Sequence, residues 1–114
     1  MTSLAEIALF TDDVPGVAAF YRRVVGADPV AEWPGGALFT LGDAKLLVHE
    51  SSGGTDDGPP NDDHFAIAVE DLDAACAALT DAGLALLVDA RDYPWGRSAY
   101  LRDPDGRLVE LAHA

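Results

Sequence analysis

Apolar and polar positions alternate along two stretches of the chain as they do in β-strands, and each stretch is followed by the pattern of a helix. Residues 5–10 alternate with the period of a strand, and Asp13 then precedes apolar positions spaced three or four residues apart. The same order returns at 64–70 and Asp71. Because the separation from Glu6 to His64 equals that from Asp13 to Asp71, the pattern predicts an internal repeat.

Each copy is predicted to form a strand, a helix and three further strands. The helices are expected to begin at Asp13 and Asp71 and to end at Gly26 and Gly83. Their inner stripes are predicted to contain Val17, Phe20, Tyr21, Val24 and Val25, then Leu72, Ala75, Cys76 and Leu79. The strands are expected at 5–10, 28–33, 36–41, 44–50, 64–70, 85–90, 97–102 and 107–112. This order predicts an α+β fold built from two βαβββ modules.

The two copies are separated by a polar stretch at 51–63 that contains no apolar residue to anchor it. We therefore expect a single domain over 1–114, with module one at 1–50, a joint at 51–63 and module two at 64–114. One module cannot cover both faces of its sheet. Two modules must therefore pair, either within one chain or across a dimer.

The charge of the chain narrows the range of partners. The 114 residues carry 20 acidic side chains against six Arg and one Lys, which gives a formal net charge of -13. Nucleic acid and anionic membrane surfaces are therefore excluded as expected partners. A single Lys beside so many Asp residues also indicates a halophilic protein, because concentrated salt screens the self-repulsion of an acidic fold.

The cysteine count and the N-terminal sequence predict the cellular compartment of the protein. Cys76 is the only cysteine, so a disulfide within the chain is excluded, and its place in a helical pattern predicts that it packs as a small apolar residue. The N-terminus lacks a basic segment followed by an apolar one, and no apolar run reaches membrane-spanning length. The protein is therefore expected to be soluble and cytoplasmic.

Three residues that can bind a metal or carry a proton are predicted on strands, beside small side chains. These are Glu6 with Ala8, His64 with Ala66 and Ala68, and Glu110 with Ala112. Small residues next to a polar one leave a hollow in the sheet face. A carboxylate between Val109 and Leu111 also needs a partner if it is partly buried.

These stretches resemble the vicinal oxygen chelate superfamily, which includes glyoxalase I, methylmalonyl-CoA epimerase, extradiol dioxygenases, and the fosfomycin and bleomycin resistance proteins. The resemblance rests on Glu6-Ile7-Ala8-Leu9 through Asp13 to Phe20-Tyr21 and Gly26, on His64 to Val69 with Asp71-Leu72, and on Asp103-Pro104-Asp105-Gly106 with Glu110-Leu111. It implies that the two modules pair into a curved mixed sheet that forms a cup, with the helices on its outer face.

The resemblance also implies a divalent metal ion, with Mn, Fe, Ni, Co and Zn all open, held by residues of both modules. By position Glu6 takes the first ligand place, His64 the third and Glu110 the fourth. The second place falls on Leu47, which cannot bind metal, so this chain departs from the family there. His49 lies two residues along on the same strand face, and it is a candidate replacement.

Three aromatic residues are candidate walls of a substrate pocket. Trp95 lies in the turn Pro94-Trp95-Gly96-Arg97, where it either roofs the cup or packs against the protein. Tyr100 and Phe39 are the other two candidates, and core packing is the favoured alternative for both.

Two classes of function follow from the resemblance. In the first, a metal held by one His and two carboxylates supports lyase or isomerase chemistry of the glyoxalase type on a small molecule, with Glu110 as the favoured base and Glu6 as the alternative. An extradiol-dioxygenase-like reaction is favoured only if His49 binds. In the second class, a metal-free cup sequesters a drug as bleomycin resistance proteins do, and Trp95 would suit a cation. Relatives imply a homodimer in either case.

Overall fold

The computed structural model describes residues 2–51 and 60–114. The chain divides into two compact units. The first, which we call the N-terminal unit, comprises Glu6–Asp63, and the second, the C-terminal unit, comprises Met1–Ala5 with His64–Ala114. Most of the predicted joint at 51–63 lies outside the described residues.

The described residues form eight strands and two helices. They are β1 (Ser3–Thr11), α1 (Val14–Val25), β2 (Ala31–Trp33), β3 (Gly36–Leu41), β4 (Ala44–Glu50), β5 (His64–Val69), α2 (Leu72–Asp81), β6 (Val88–Tyr93), β7 (Gly96–Arg102) and β8 (Leu108–His113). The order βαβββ occurs twice, which confirms the predicted α+β class and the internal repeat. Neither helix among the described residues has the length and hydropathy that a bilayer span requires.

The N-terminal unit is a mixed four-stranded sheet with one helix packed on it. Its strand order is β2-β3-β4-β1, in which β1 and β4 run parallel and the other neighbours antiparallel. Helix α1 contacts β3 and β4. The buried core between them consists of Ala18, Ala37, Phe39, Leu46 and Val48, with Ile7, Leu9, Val17, Tyr21 and Val25 around it.

Helix α1 begins and ends as its sequence predicts. The Asp13 side chain accepts a hydrogen bond from the Gly16 amide, and Gly26 closes the helix with a φ of 81°. The predicted inner stripe was too wide, however, because Phe20 and Val24 are 59% and 65% exposed. Val17, Tyr21 and Val25 follow a spacing of four residues on the sheet side, and Phe20 and Val24 lie about 100° and about 60° around the helix from the centre of that stripe.

The C-terminal unit repeats this arrangement. Its strand order is β5-β8-β7-β6, with β5 and β8 parallel, and α2 packs against β6, β7 and β8. The buried core contains Val69, Leu72, Cys76, Ala99, Leu101 and Leu111. Cys76 is 7% exposed within it, so the prediction that this cysteine packs as an apolar residue is confirmed.

The largest departures from the predicted strand bounds are in β6 and β2. Strand β6 begins at Val88 rather than near 85, because the amides of Gly83 and Leu84 still bond the helix carbonyls of Thr80 and Leu79. Strand β2 is limited to Ala31–Trp33. The strand cannot extend back through Pro29 as a paired strand, because proline has no amide hydrogen to donate.

Candidate functional site

A buried pair of ionisable side chains lies in the C-terminal unit, on the sheet face opposite α2. Nε2 of His64 is 3.0 Å from Oε1 of Glu110, and the two side chains are 5% and 8% exposed. The hydroxyl of Ser98, itself 1% exposed, donates to Oε2 of Glu110 at 2.7 Å. Both oxygens of this carboxylate therefore have a partner, which is what allows a charged group to stay buried.

The strand register brings these three residues together. In the parallel pair of β5 and β8, Ala66 is opposite Glu110, so His64 lies one same-face position before it. In the antiparallel pair of β7 and β8, Tyr100 is opposite Glu110 and Ser98 is one same-face position away. The small side chain of Ala66 leaves the space across the strands into which the imidazole reaches, as the pattern of small neighbours predicts.

A series of aromatic contacts extends from this pair across β7 and β6. The Tyr100 ring lies edge-on to the His64 ring, with centroids 5.8 Å apart, and it lies edge-on to the Tyr93 ring at 6.2 Å. Tyr93 in turn stacks on Trp95, with centroids 4.7 Å apart and ring planes 3° from parallel. Tyr100 is 1% exposed and Trp95 is 60% exposed, so the series runs from the buried site to the surface.

The hydroxyl of Tyr93 has unusual surroundings. Its oxygen is buried and has no hydrogen-bond partner among the described residues. Burial raises the pKa of Tyr93 above its ordinary value; the charge of Arg91 opposes this effect, and the charge of Glu110 adds to it. The phenol is therefore neutral at physiological pH, and it can donate a hydrogen bond.

The candidates in the N-terminal unit lie apart from one another along their strands. Glu6 is opposite Lys45, whereas His49 is opposite Phe10, four residues further along β4 or about 13 Å. Nδ1 of His49 lies 2.8 Å from the carbonyl oxygen of Glu50, and its ring packs on Phe10. The register therefore does not bring His49 to Glu6.

The structure also shows the surroundings of Leu47, the expected second ligand position, and of Phe39, a candidate pocket wall. Leu47 is half-buried on β4, where the strand pairing places it opposite Ala8 and Leu38. Phe39 is 0% exposed and belongs to the core beneath α1. This burial matches the core-packing alternative for Phe39. Tyr100 contacts the ring of His64, whereas Trp95 contacts Tyr93.

The chemistry and spacing of His64 and Glu110 fit two adjacent positions around a divalent ion. Imidazole nitrogen and carboxylate oxygen are ordinary ligands of Mn, Fe, Co, Ni and Zn. Two neighbouring ligands of an octahedral ion with bonds of about 2.1 Å lie about 3 Å apart, which matches the measured separation. Within residues 2–51 and 60–114, no group of three or more His, Cys, Asp or Glu side chains is arranged to hold a metal.

Ser98 and Tyr93 were not singled out from the sequence. The alternation of β7 does place Ser98 on the same face as Tyr100, so a polar residue at a predicted buried position was a usable signal. No comparable signal existed for Tyr93. Its strand was expected to end at residue 90, and its ring contacts depend on the turn between β6 and β7.

Comparison with known proteins identifies the family. The model of the Glyoxalase/Bleomycin resistance protein/Dioxygenase superfamily matches residues 3–111, and the chain belongs to this superfamily. No curated protein sequence matches the chain.

Solved structures share the fold at low sequence identity. A hypothetical protein from Bacillus halodurans C-125 is 17% identical with a TM-score of 0.78, covering 99% of this chain and 94% of its own. Methylmalonyl-CoA epimerase from Mycobacterium tuberculosis is 23% identical with a TM-score of 0.75, covering 96% and 86%. A superfamily member from Vibrio splendidus 12B01 is 15% identical with a TM-score of 0.74, covering 100% of each chain.

Proposed function

We propose that the protein is a metal-dependent enzyme of the glyoxalase type, which moves a proton next to a carbonyl group of a small-molecule substrate. The observation that carries the proposal is the buried pair of His64 and Glu110, whose donor atoms are 3.0 Å apart. Both residues occupy positions that the family resemblance assigns to metal ligands. Glu6, at the first such position, is the proposed third ligand.

The residues of the site are assigned distinct roles. A divalent ion at the pair would supply Lewis-acid polarisation of the substrate carbonyl. Glu110 is the proposed base, which takes a proton from the neighbouring carbon and returns it, and Glu6 is the alternative base. His64 acts as a ligand only. Ser98 holds Oε2 of Glu110, so the plane of the carboxylate is fixed while Oε1 faces His64.

Burial supports this chemistry. The side chains of His64 and Glu110 are almost fully removed from water, which strengthens electrostatic interactions with a bound substrate. Substrates with an acidic hydrogen next to a carbonyl are the class that this arrangement suits. Methylmalonyl-CoA epimerases share the fold, so 2-substituted acyl thioesters are suitable first substrates, together with hemithioacetals of 2-oxoaldehydes.

The metal proposal is tested by elemental analysis of protein purified without a polyhistidine tag and without added metal. We expect about one equivalent of a divalent metal, and we expect the Glu110→Gln variant to lose at least about tenfold in metal affinity while it keeps its fold, because ligand-shell changes commonly cost 10–100-fold. Glu50→Gln, an exposed carboxylate on β4, is the control. Unchanged metal affinity in Glu110→Gln would contradict the assignment.

The chemical step is tested by solvent-deuterium exchange. Metal-loaded protein should introduce deuterium next to the carbonyl of at least one acyl thioester or hemithioacetal, and Glu110→Gln should slow that exchange by about 100-fold or more. Exchange at the same rate in the variant would remove Glu110 from the proton transfer. Absence of exchange with every substrate would contradict the enzymatic proposal.

Sequestration of a small molecule without metal is the second candidate. It is favoured by one observation: Ser98 and His64 satisfy both oxygens of Glu110 with protein groups alone. The exposed stack of Tyr93 and Trp95 offers an aromatic surface on an acidic protein, which suits a planar cation. Tight binding of such a cation by metal-free protein, without any exchange activity, would favour this function. The position of His49 does not favour a dioxygenase.

A further inference from the structure

We propose that Tyr93 determines ligand specificity by donating a hydrogen bond from its hydroxyl to a neutral acceptor oxygen of the ligand. The proposal deepens the proposed function, since it takes the sheet face that carries His64 and Glu110 as the ligand site. It concerns a residue outside the ligand set, and it does not depend on which metal is bound.

The first support is the missing partner of the hydroxyl. Within residues 2–51 and 60–114, Tyr93 Oη is the one buried side-chain nitrogen or oxygen atom without a hydrogen bond. Buried polar groups are almost always paired, because an unpaired one forfeits the hydrogen bond that it made to water. An unpaired hydroxyl beside a candidate site is therefore a place where a ligand atom completes the bonding.

The second support is the location of Tyr93 relative to the pair. Tyr93 is opposite Gly96 and Arg91 is opposite Ser98, so Tyr93 shares the sheet face of Ser98. Ser98 in turn bonds Glu110. The edge-on contact of Tyr93 with Tyr100, which is directly opposite Glu110, places the Tyr93 ring next to the neighbour of the pair.

The third support is that the Tyr93 ring is held by two aromatic rings, which are poor hydrogen-bond acceptors for its hydroxyl. One face of the ring stacks on Trp95, and the Tyr100 ring meets it edge-on. Two aromatic contacts fix the direction of the hydroxyl, which lowers the entropy lost when a ligand binds. Trp95 is the exposed member of the stack, so the stack reaches the protein surface beside Tyr93.

The charge around the site selects the kind of acceptor. The neutral phenol donates readily, whereas a carboxylate on the ligand would be repelled by Glu110, whose charge already acts on Tyr93. The proposed acceptor is therefore a ketone, ester or amide oxygen. It lies on a part of the ligand away from the carbonyl that reacts.

The test uses four hydroxamic acids that chelate a metal through adjacent oxygens. These are benzohydroxamates with an acetyl group at the 3- or 4-position, and partners in which isopropyl replaces acetyl with nearly the same shape. Binding is measured by calorimetry to metal-loaded and metal-free protein. We expect wild type to prefer acetyl over isopropyl by about three- to tenfold at one ring position, which is the usual net contribution of one hydrogen bond.

The variant Tyr93→Phe should remove that preference while it leaves the affinity for the isopropyl compound within about twofold. Its stability should equal or exceed that of wild type, since the deleted hydroxyl has no partner among the described residues. Tyr21→Phe, in the core beneath α1, is the matched control and should keep the preference. The signal of ¹³C-labelled Tyr93 Cζ should shift with the acetyl compound alone.

The outcomes separate this proposal from the metal proposal. An acetyl preference that persists in Tyr93→Phe, or its absence from wild type at both ring positions, overturns the role of Tyr93. Failure of all four compounds to bind either form overturns it as well. If metal-free protein prefers the acetyl compound, Tyr93→Phe removes that preference, and added metal does not raise the affinity for any of the compounds, the role of Tyr93 is supported. The metal proposal is then contradicted.

Discussion

Ser98 donates its hydroxyl hydrogen to Oε2 of Glu110 across 2.7 Å. Its position on β7 is one same-face position away from Tyr100, the residue directly opposite Glu110. Ser98 and Glu110 are both buried, at 1% and 6% exposure. A carboxylate in such surroundings needs hydrogen bonds on both oxygens, and His64 provides the contact on the other one. The position of the carboxylate is thus set by two neighbouring strands at once.

Replacement of Ser98 by Ala should lower the free energy of unfolding by about 1–3 kcal/mol, because a buried carboxylate oxygen loses a charge-assisted hydrogen bond. The same change should weaken metal binding, since Glu110 is held less firmly. Urea denaturation and metal titration measure the two effects. Ser3→Ala, at an exposed position of β1, should change the unfolding free energy by less than about 0.5 kcal/mol. Equal stability of both variants would contradict the structural role of Ser98.

Local sequence signals predicted the repeated fold and singled out His64 and Glu110, two residues that the structure brings together. Asp13 and Asp71 cap helices because their side chains reach the next amides, which is a property of a few neighbouring residues. Strand alternation placed His64 and Glu110 each on the face of its own strand that carries small residues, which again needs no distant contact. Their direct contact depends on the parallel pairing of β5 with β8, for which only the family resemblance gave a register.

Features that depend on tertiary packing escaped prediction. Phe20 belongs by hydrophobicity to the inner stripe of α1, yet only the packed structure shows that Val17 and Tyr21 face the sheet while Phe20 faces outward. Phe65, which alternation places on the same face of β5 as the buried Val69, is 38% exposed. Tyr93 could not be found because its neighbours come from a turn and two strands, and a missing hydrogen-bond partner leaves no trace in a sequence.

The turn before β8 should make stability depend on pH in the acidic range. Oδ1 of Asp103 accepts from the amides of Asp105 and Arg107, and these bonds, with the Arg107 amide foremost, hold the pKa of Asp103 below its usual value. A lowered pKa means that the carboxylate stabilises the fold above the ordinary Asp pKa of about 3.9. This contribution is lost as the pH falls through the lowered pKa.

Asp103→Asn should therefore have a lower urea midpoint than wild type at pH 7, and the difference should shrink as the pH falls below about 4. Asp105→Asn is the control, since its side chain contacts Arg107 but accepts no backbone bond among those found in this turn. A midpoint difference between Asp103→Asn and wild type that stays constant from neutral to acidic pH would contradict this account.

Salt should stabilise the protein. Three of the six arginines already face two carboxylates each: Arg22 with Asp28 and Glu32, Arg97 with Asp73 and Asp92, and Arg107 with Asp103 and Asp105. These pairs leave the net charge of -13 unchanged, so the acidic side chains still repel one another. Salt weakens this repulsion, because the screening length falls to about 3 Å at 1 M. The melting temperature should rise between about 20 mM and 1 M KCl. The rise should be smaller near the sequence pI of about 4.2.

An equal rise at neutral pH and near the isoelectric point would assign the effect to hydration of apolar surface rather than to charge. A melting temperature that is unchanged by salt at neutral pH would contradict the halophilic interpretation altogether. Both results are read from the same pair of thermal titrations, so no variant is needed for this comparison.

The protein should be a homodimer in the salt that it prefers. Phe20 and Val24 form an exposed apolar pair on the outer side of α1, and β2, a terminal strand of its unit, presents Trp33 at 41% exposure. Exposed large apolar side chains and unpaired strand edges are features that a second copy covers. Sedimentation equilibrium at micromolar concentration in 1 M KCl should give twice the 12.0 kDa mass of one chain.

The double variant Phe20→Ser with Val24→Ser should weaken the dimer by at least about tenfold if the outer side of α1 lies in the interface, because each buried apolar side chain contributes about 1.5–3 kcal/mol. Arg23→Ser, an exposed position on the same helix, is the matched control and should leave the association unchanged. A dimer that survives the double variant would assign the interface to another surface, such as the edge of β2. A wild-type monomer at these concentrations would contradict the prediction itself.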